Sequence, residues 1–102
     1  ITFNEDCKHV KGKIDKGEII VGMGAWDALS AKIIEKAGFD IVGLQSFQHS
    51  NSWGLPNVGL RTPSDLLSLT WKVASEIKIP ILIDFEQGFG GPCLCCLLDE
   101  EV

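Results

Sequence analysis

Three compact runs of apolar, mostly β-branched residues recur along the chain, separated by segments with helical spacing. The runs lie at Glu18–Met23, Asp40–Leu44 and Ile81–Asp84. Short apolar runs of this kind indicate strands buried on both faces of a sheet. Between them, apolar residues three and four positions apart predict one helix over 27–37 and another after Thr62. The chain is therefore predicted to alternate helices and strands.

Residues that begin and end helices stand where this pattern requires them. Asp27 is predicted as the N-cap of one helix and Gly38 as the residue that follows its end, while Thr62 caps the next helix with Pro63 in its first position. A shorter helix is expected within Asn4–Lys16. The resulting order, α-β-α-β-α-β, requires crossover connections and a parallel sheet, whose functional residues lie in the loops after the strands.

Composition and charge place the chain among ordinary globular proteins and exclude several classes of partner. Apolar residues make up 45% and charged residues 23%, and the net charge is −5 with no basic stripe. This balance argues against binding to nucleic acid or to an anionic membrane surface. No run is long enough for a membrane span, and the N-terminus does not read as a signal peptide. We expect a location in the cytoplasm or an organelle matrix, not secretion, and further residues upstream of Ile1 because no initiator Met is present.

Two carboxylates stand two positions apart at the end of the third predicted strand. If the chain stays extended there, Asp84 and Glu86 point to the same side. Two carboxylates on one rigid edge suit Mg²⁺, a hard cation that takes few protein ligands. The glycines that follow permit close approach of a ligand. Spacing alone predicts a plain polar strand end at least as strongly as a metal site.

The predicted loop over Gln45–Arg61 begins with a dense run of hydrogen-bonding side chains. Such a loop can hold a small anionic substrate, although a solvated loop is the commoner structure. His49 is a candidate acid or base. No nucleophile or carboxylate is paired with it by spacing, so a surface histidine is expected. Gly22–Gly24 lacks the other features of a dinucleotide- or nucleoside triphosphate-binding loop.

Three of the four cysteines crowd into the last ten residues, at Cys93, Cys95 and Cys96. This distribution is unlike the framework of a disulfide-stabilised secreted domain. A Cys-x-x-Cys pair can belong to a zinc or redox centre, but zinc needs further ligands and a redox pair should open a helix. Thiols without a shared function are the favoured interpretation, and a metal or redox tail is the alternative.

Four segments together carry a resemblance to a known family. They read GAWDALSA at 24–31, AGFD at 37–40, GLP at 54–56 and PILIDFEQGFG at 80–90. In this order and spacing they resemble the isocitrate lyase / phosphoenolpyruvate mutase superfamily, close to its methylisocitrate lyase and phosphonomutase branches. Any one segment is a weak signal, whereas the combination is specific. The similarity extends from Glu18 to Gly91.

The resemblance implies a (β/α)₈ barrel of the TIM type. Residues 1–92 would supply about its first three β/α units, with 93–102 as a divergent cysteine-rich tail. The resemblance also implies Mg²⁺ or Mn²⁺, and a small 2-oxo, 2-hydroxy or phosphono carboxylic acid as substrate. The implied activity is that of a lyase or mutase, which makes or breaks a carbon–carbon or phosphorus–carbon bond through an enolate held on the metal. Full-length members are expected to be homo-oligomers.

Site residues follow from the same resemblance. Asp84 and Glu86 fall on metal-binding positions, with glutamate in place of the commoner aspartate. Trp26 and Asp27 fall on an aromatic-Asp pair at the substrate pocket, and Ser46 falls on a substrate-binding serine. Phe47 and Gln48 stand at substrate-binding positions where the family often has small glycines. Asn57 stands at one where the family usually has aspartate. Phe47 and Gln48 keep the backbone N–H groups that glycines would offer, but their side chains occupy the space that glycines would leave open. Asn57 lacks the negative charge of the usual aspartate.

Later motifs of the family, a Glu-Asp strand motif and the Lys-Cys-Gly loop of its lyases, do not occur in this sequence. The general base and the lyase acid are therefore expected outside these residues, and no catalytic residue is assigned. Two hypotheses follow: a metal-dependent lyase or mutase, or a truncated product without catalytic activity. Mg²⁺-dependent binding of oxalate or a pyruvate-like acid distinguishes them, because only the first requires it.

Overall fold

The computed structural model describes residues 5–86 together with residues 88 and 89. Its elements are α1 (Glu5–Asp15), β1 (Gly22–Gly24), α2 (Ala28–Lys36), β2 (Ile41–Leu44), α3 (Ser46–Ser52), α4 (Pro63–Ala74) and β3 (Ile81–Ile83). The three strands form one parallel sheet in the order β1-β2-β3. This arrangement confirms the predicted alternation and the parallel sheet. The cysteine-rich tail and its alternatives lie outside the described residues.

The first strand is shorter and more exposed than the sequence predicts. The apolar run over 18–23 was expected to be a buried strand, but β1 begins only at Gly22, and Ile19 and Val21 are 84% and 50% exposed. Within the described sheet, β1 has β2 as its neighbour on one side. An edge strand buries only part of its surface, whereas the central β2 is buried at three of its four positions.

A helix occupies the start of the segment that was predicted as a continuous loop. α3 follows β2 directly and spans Ser46–Ser52. The prediction was wrong because a loop had been inferred from polar composition, and this helix buries polar side chains. Ser46, His49 and Ser50 form its buried face, at helical spacing three and four apart. An apolar stripe, the usual signal for a helix, is missing from this segment.

The core lies between the sheet and the two longer helices that cover it. Ala31 and Ile34 of α2 pack with β2 and with α4, whose Leu69 and Val73 are nearly inaccessible to solvent. Leu44, at the end of β2, is fully buried in the same cluster. The core thus fixes the carboxyl end of β2, from which the candidate site begins.

Capping side chains set the starts of these helices where they were predicted. Asp27 accepts a hydrogen bond from the Ser30 N–H at 2.7 Å, and the Ser30 hydroxyl accepts one from the Asp27 N–H. Thr62 and Asp65 form the same reciprocal box at α4, with Pro63 in the first turn. Thus α2 begins after the short loop that follows β1, and α4 begins after the segment that follows α3.

The opposite, amino-terminal edge of the sheet is held by a separate ion pair. Lys13 of α1 donates to Asp40 at 2.8 Å, and Asp40 also accepts from the Val21 N–H. The hydrogen bond from Lys13, with that from Val21, holds the pKa of Asp40 below its usual value. This contact anchors α1 next to the start of β2. Among the described residues, no helix is both long and apolar enough to cross a membrane.

Candidate metal and substrate site

The carboxyl ends of the three strands meet at one edge of the sheet. The Ala25 N–H donates to the Gly43 carbonyl at 2.8 Å, and the Asp84 N–H donates to the Leu44 carbonyl at 3.0 Å. These bonds extend the ladders past the ends of β1 and β3. Residues that follow all three strands, among them Trp26 and Asp84, are therefore placed side by side, as the parallel order requires.

Ser46 and Asp84 approach each other at this edge from different strands. Ser46 is the first residue of α3, and its Oγ donates to Asp84 Oδ2 at 3.4 Å. The serine is only 5% exposed, while the aspartate is open to solvent. A buried hydroxyl thus orients a carboxylate that solvent and ligands can reach. The two residues are 38 positions apart in sequence, and only the fold brings them together.

Glu86 does not lie beside Asp84 as an extended chain would place it. β3 ends at Ile83, and Glu86 has a φ of 54°, in the left-handed region that a residue with a side chain seldom adopts. Its N–H folds back to donate to Asp84 Oδ1 at 3.0 Å. The extended chain that period-two alignment of the two carboxylates requires is therefore not present, because the chain turns at this point.

The Glu86 carboxylate instead pairs with Arg61. The Arg61 Nη2 donates to Glu86 Oε1 at 3.2 Å, and its Nη1 lies 3.1 Å from Nδ1 of His49. Arg61 is 5% exposed. An arginine offers only donors, so Nδ1 of His49 must be the acceptor and the proton resides on Nε2. Sequence reasoning missed Arg61, because one charged residue at the end of a polar loop carries no local signal of burial.

His49 is buried and neutral, not the surface histidine that was expected. It is 4% exposed and packs edge-on against Trp53, with ring centroids 4.7 Å apart. Burial, followed by the positive charge of Arg61, holds the pKa of His49 below its usual value. His49 therefore serves as a neutral acceptor for Arg61 inside the fold.

The other predicted substrate-binding residues lie in three different places. Trp26, Phe47 and Gln48 line one open cavity of about 350 Å³ beside α3. Asp27 has one carboxylate oxygen committed to capping α2. Asn57 is exposed in the segment between α3 and α4, and in the part of the chain that the structure describes its side chain has no hydrogen bond to the other predicted residues.

Gln48 fills the space beside β1. A Cβ atom added at Gly24 would overlap the Gln48 side-chain amide, so the glycine permits this close approach. Oε1 of Gln48 is buried and has no hydrogen-bond partner among the described residues. The side-chain amide of Gln48 therefore occupies space directly against the backbone of β1.

A family model described as phosphoenolpyruvate phosphomutase matches residues 13–93. The chain belongs to this family. A phosphonopyruvate hydrolase of Variovorax sp. (strain Pal2) is 31% identical over 79% of the chain and 28% of its own length. A 2-methylisocitrate lyase of Aeropyrum pernix is 30% identical over 76% of the chain and 25% of its own length. The chain thus spans about a quarter of the length of the curated relatives that it matches.

Solved structures of phosphoenolpyruvate phosphomutase relatives share the fold. A phosphonopyruvate hydrolase in complex with oxalate and Mg²⁺ superimposes with a TM-score of 0.83 at 28% identity, covering 87% of this chain and 31% of that one. Together with the family match, this superposition confirms the resemblance to the phosphoenolpyruvate mutase/isocitrate lyase superfamily. It also confirms the expected fold class, a part of a (β/α)₈ barrel with three parallel strands. The boundary between residues 92 and 93 stays a prediction.

The described residues of this family member fit a divalent cation with a single carboxylate. No group of three or more His, Cys, Asp or Glu side chains is gathered for a metal within residues 5–86, 88 and 89. Mg²⁺ commonly keeps several waters and takes one or two carboxylates. Asp84 meets this requirement, because its oxygens are hard donors, it is exposed, and Ser46 and the Glu86 N–H fix its orientation.

Proposed function

We propose that this chain supplies the metal- and substrate-binding edge of a magnesium- or manganese-dependent lyase or mutase. The substrate is a small 2-oxo, 2-hydroxy or phosphono carboxylic acid. The observation that carries the proposal is the contact of Ser46 with Asp84 at the carboxyl ends of β2 and β3. A relative with the same fold is described as binding oxalate and Mg²⁺, which supports this class of ligand.

Each side chain has a definite role in this proposal. Asp84 holds the cation, and the Ser46 hydroxyl keeps its carboxylate in place. Phe47 and Gln48, the next residues of α3, bind the substrate carboxylate through their backbone N–H groups. The cation, when bound, withdraws electron density from the substrate's oxygens and so stabilises negative charge that develops next to the carboxylate.

Further residues define the walls of the substrate pocket. Trp26 forms an apolar side, and Asp27 lies next to it at the start of α2. Asn57 completes the proposed set from the segment before α4, as an uncharged residue. No residue of the given sequence is proposed as the general acid or base. Homo-oligomers and a location in the cytoplasm or an organelle matrix also stay predictions.

Binding of Mg²⁺ together with oxalate tests the proposal directly. Isothermal titration of oxalate into the chain with Mg²⁺ should give saturable binding, and thermal unfolding should shift upward. A ligand at 100 times its dissociation constant stabilises the folded state by about 2.7 kcal/mol. Oxalate with EDTA, Mg²⁺ alone and acetate with Mg²⁺ serve as controls. The absence of heat and of any thermal shift at millimolar oxalate with Mg²⁺ would reject the proposal.

A further inference from the structure

Arg61 is a buried cation that bridges two parts of the candidate site. Its guanidinium contacts His49 on α3 and Glu86 beyond β3, at 3.1 and 3.2 Å. The side chain of Arg61 is 3% exposed and that of Glu86 is 28% exposed. The cation is thus the more deeply buried partner of the pair.

Burial makes a counter-charge strongly favourable for Arg61. A guanidinium does not lose its proton in proteins, and a buried charge without a counter-charge is strongly unfavourable. His49 offers a hydrogen-bond acceptor but no negative charge, since burial and Arg61 itself keep its pKa low. Glu86 supplies the charge in direct contact, and the carboxylate of Asp65 adds a weaker coulombic attraction. One oxygen of the Glu86 carboxylate, Oε1, is therefore already engaged by Arg61 when a metal arrives.

A backbone turn at Glu86 accompanies its ion pair with Arg61. Glu86 adopts a positive φ, and its N–H donates to Asp84 Oδ1. Both carboxylates of the acidic pair reach solvent, but Glu86 is in addition paired with the protein's own cation.

We infer that Arg61 is a positioning residue that competes with the divalent cation for Glu86 and so sets the affinity of the site. The inference rests on the proposed function, in which Asp84 holds the cation. In the unmodified chain, the salt bridge holds the Glu86 carboxylate at Arg61, and a move toward the metal weakens this contact with a buried cation. The metal is then held mainly by Asp84 and water, and binding is weaker than the acidic pair alone would give.

Mn²⁺ binding, measured by electron paramagnetic resonance of the free ion, tests the inference with a double-mutant cycle. Arg61→Met, which keeps an unbranched apolar stem, should raise Mn²⁺ affinity about tenfold, of the order of one added charge near the ion. In a chain that already carries Glu86→Gln, the same substitution should also raise the Mn²⁺ affinity, but this gain should be smaller by a factor of at least about three. Loss of a positive charge alone acts equally in both backgrounds, so the difference reports release of Glu86.

Further variants separate competition from a merely structural role. Arg61→Gln keeps a donor for His49, provides a second neutral variant of different shape, and should show the same Glu86-dependent gain. Arg61→Lys retains the charge and should restore affinity toward that of the unmodified chain. Lys72→Met on α4 removes a cation of similar size that makes no contact with Glu86 in the structure, and should give no Glu86-dependent gain.

Two failures are distinguishable in this experiment. Equal gains with and without Glu86→Gln, or no gain in either neutral variant, would overturn the role of Arg61 while Mn²⁺ still binds through Asp84. Mn²⁺ binding that is absent from the unmodified chain, or identical in Asp84→Asn, would instead overturn the proposed function on which the inference rests.

Discussion

Replacing Asp84 with asparagine should abolish Mg²⁺-dependent binding of oxalate while leaving the fold intact. Asparagine keeps the shape of the side chain and one oxygen, but removes the charge that a hard cation requires. Residues that merely orient metal ligands contribute about 10–100-fold to affinity, so loss of the ligand itself should weaken binding by more than about 100-fold. Isothermal titration with Mg²⁺ and oxalate measures the change.

A matched control removes the same charge elsewhere. Asp15→Asn lies in α1, where the carboxylate is 64% exposed and pairs with Lys11 of the same helix. Its oxalate affinity should equal that of the unmodified chain, and the far-ultraviolet circular dichroism of both variants should be unchanged. Oxalate binding in Asp84→Asn that matches the Asp15→Asn control would show that Asp84 does not hold the metal.

Leu44→Ala should cause the largest loss of stability among single core substitutions near the site. Leu44 is fully buried at the end of the central strand, and truncation of such a residue costs about 2–5 kcal/mol through lost burial and the cavity left behind. Its carbonyl also accepts the Asp84 N–H, so the same change loosens the candidate site. Urea unfolding followed by circular dichroism gives the free energy.

Leu82 on the adjacent strand provides the comparison for this prediction. It is 64% exposed, so Leu82→Ala should change stability by no more than about 0.5 kcal/mol. The two substitutions remove the same atoms and differ only in burial. Similar losses in both variants would contradict the placement of Leu44 in the core that supports the site.

Local signals in the sequence were sufficient for α2, α4 and the order of the strands, but not for α3 or for the start of β1. Asp27 and the Thr62-Pro63 pair mark helix starts because a cap needs only a short polar side chain and a suitable backbone next to it. The apolar runs identify the strands for the same reason, since period and β-branching are visible within a few residues. Their alternation with helices fixes a parallel sheet without any knowledge of distant contacts.

Three features that the sequence did not predict depend on contacts between residues far apart in the chain. α3 buries Ser46 and His49, and a polar residue in the sequence does not show that a partner will bury it. The turn at Glu86 accompanies its salt bridge with Arg61, 25 positions earlier. The Ser46–Asp84 contact spans 38 positions. The residues of the site could be named from a family resemblance, but their mutual geometry required the fold.

Paramagnetic broadening by Mn²⁺ in a ¹⁵N–¹H spectrum tests the position of the metal most directly. With oxalate present, substoichiometric Mn²⁺ should broaden the amide signals of Ser46 and Asp84 first, and excess Mg²⁺ should restore them. Amides of α1 should stay sharp, because its Lys13–Asp40 contact lies at the opposite edge of the sheet. Broadening centred on α1, or spread evenly over the chain, would contradict a metal site at the carboxyl ends of β2 and β3.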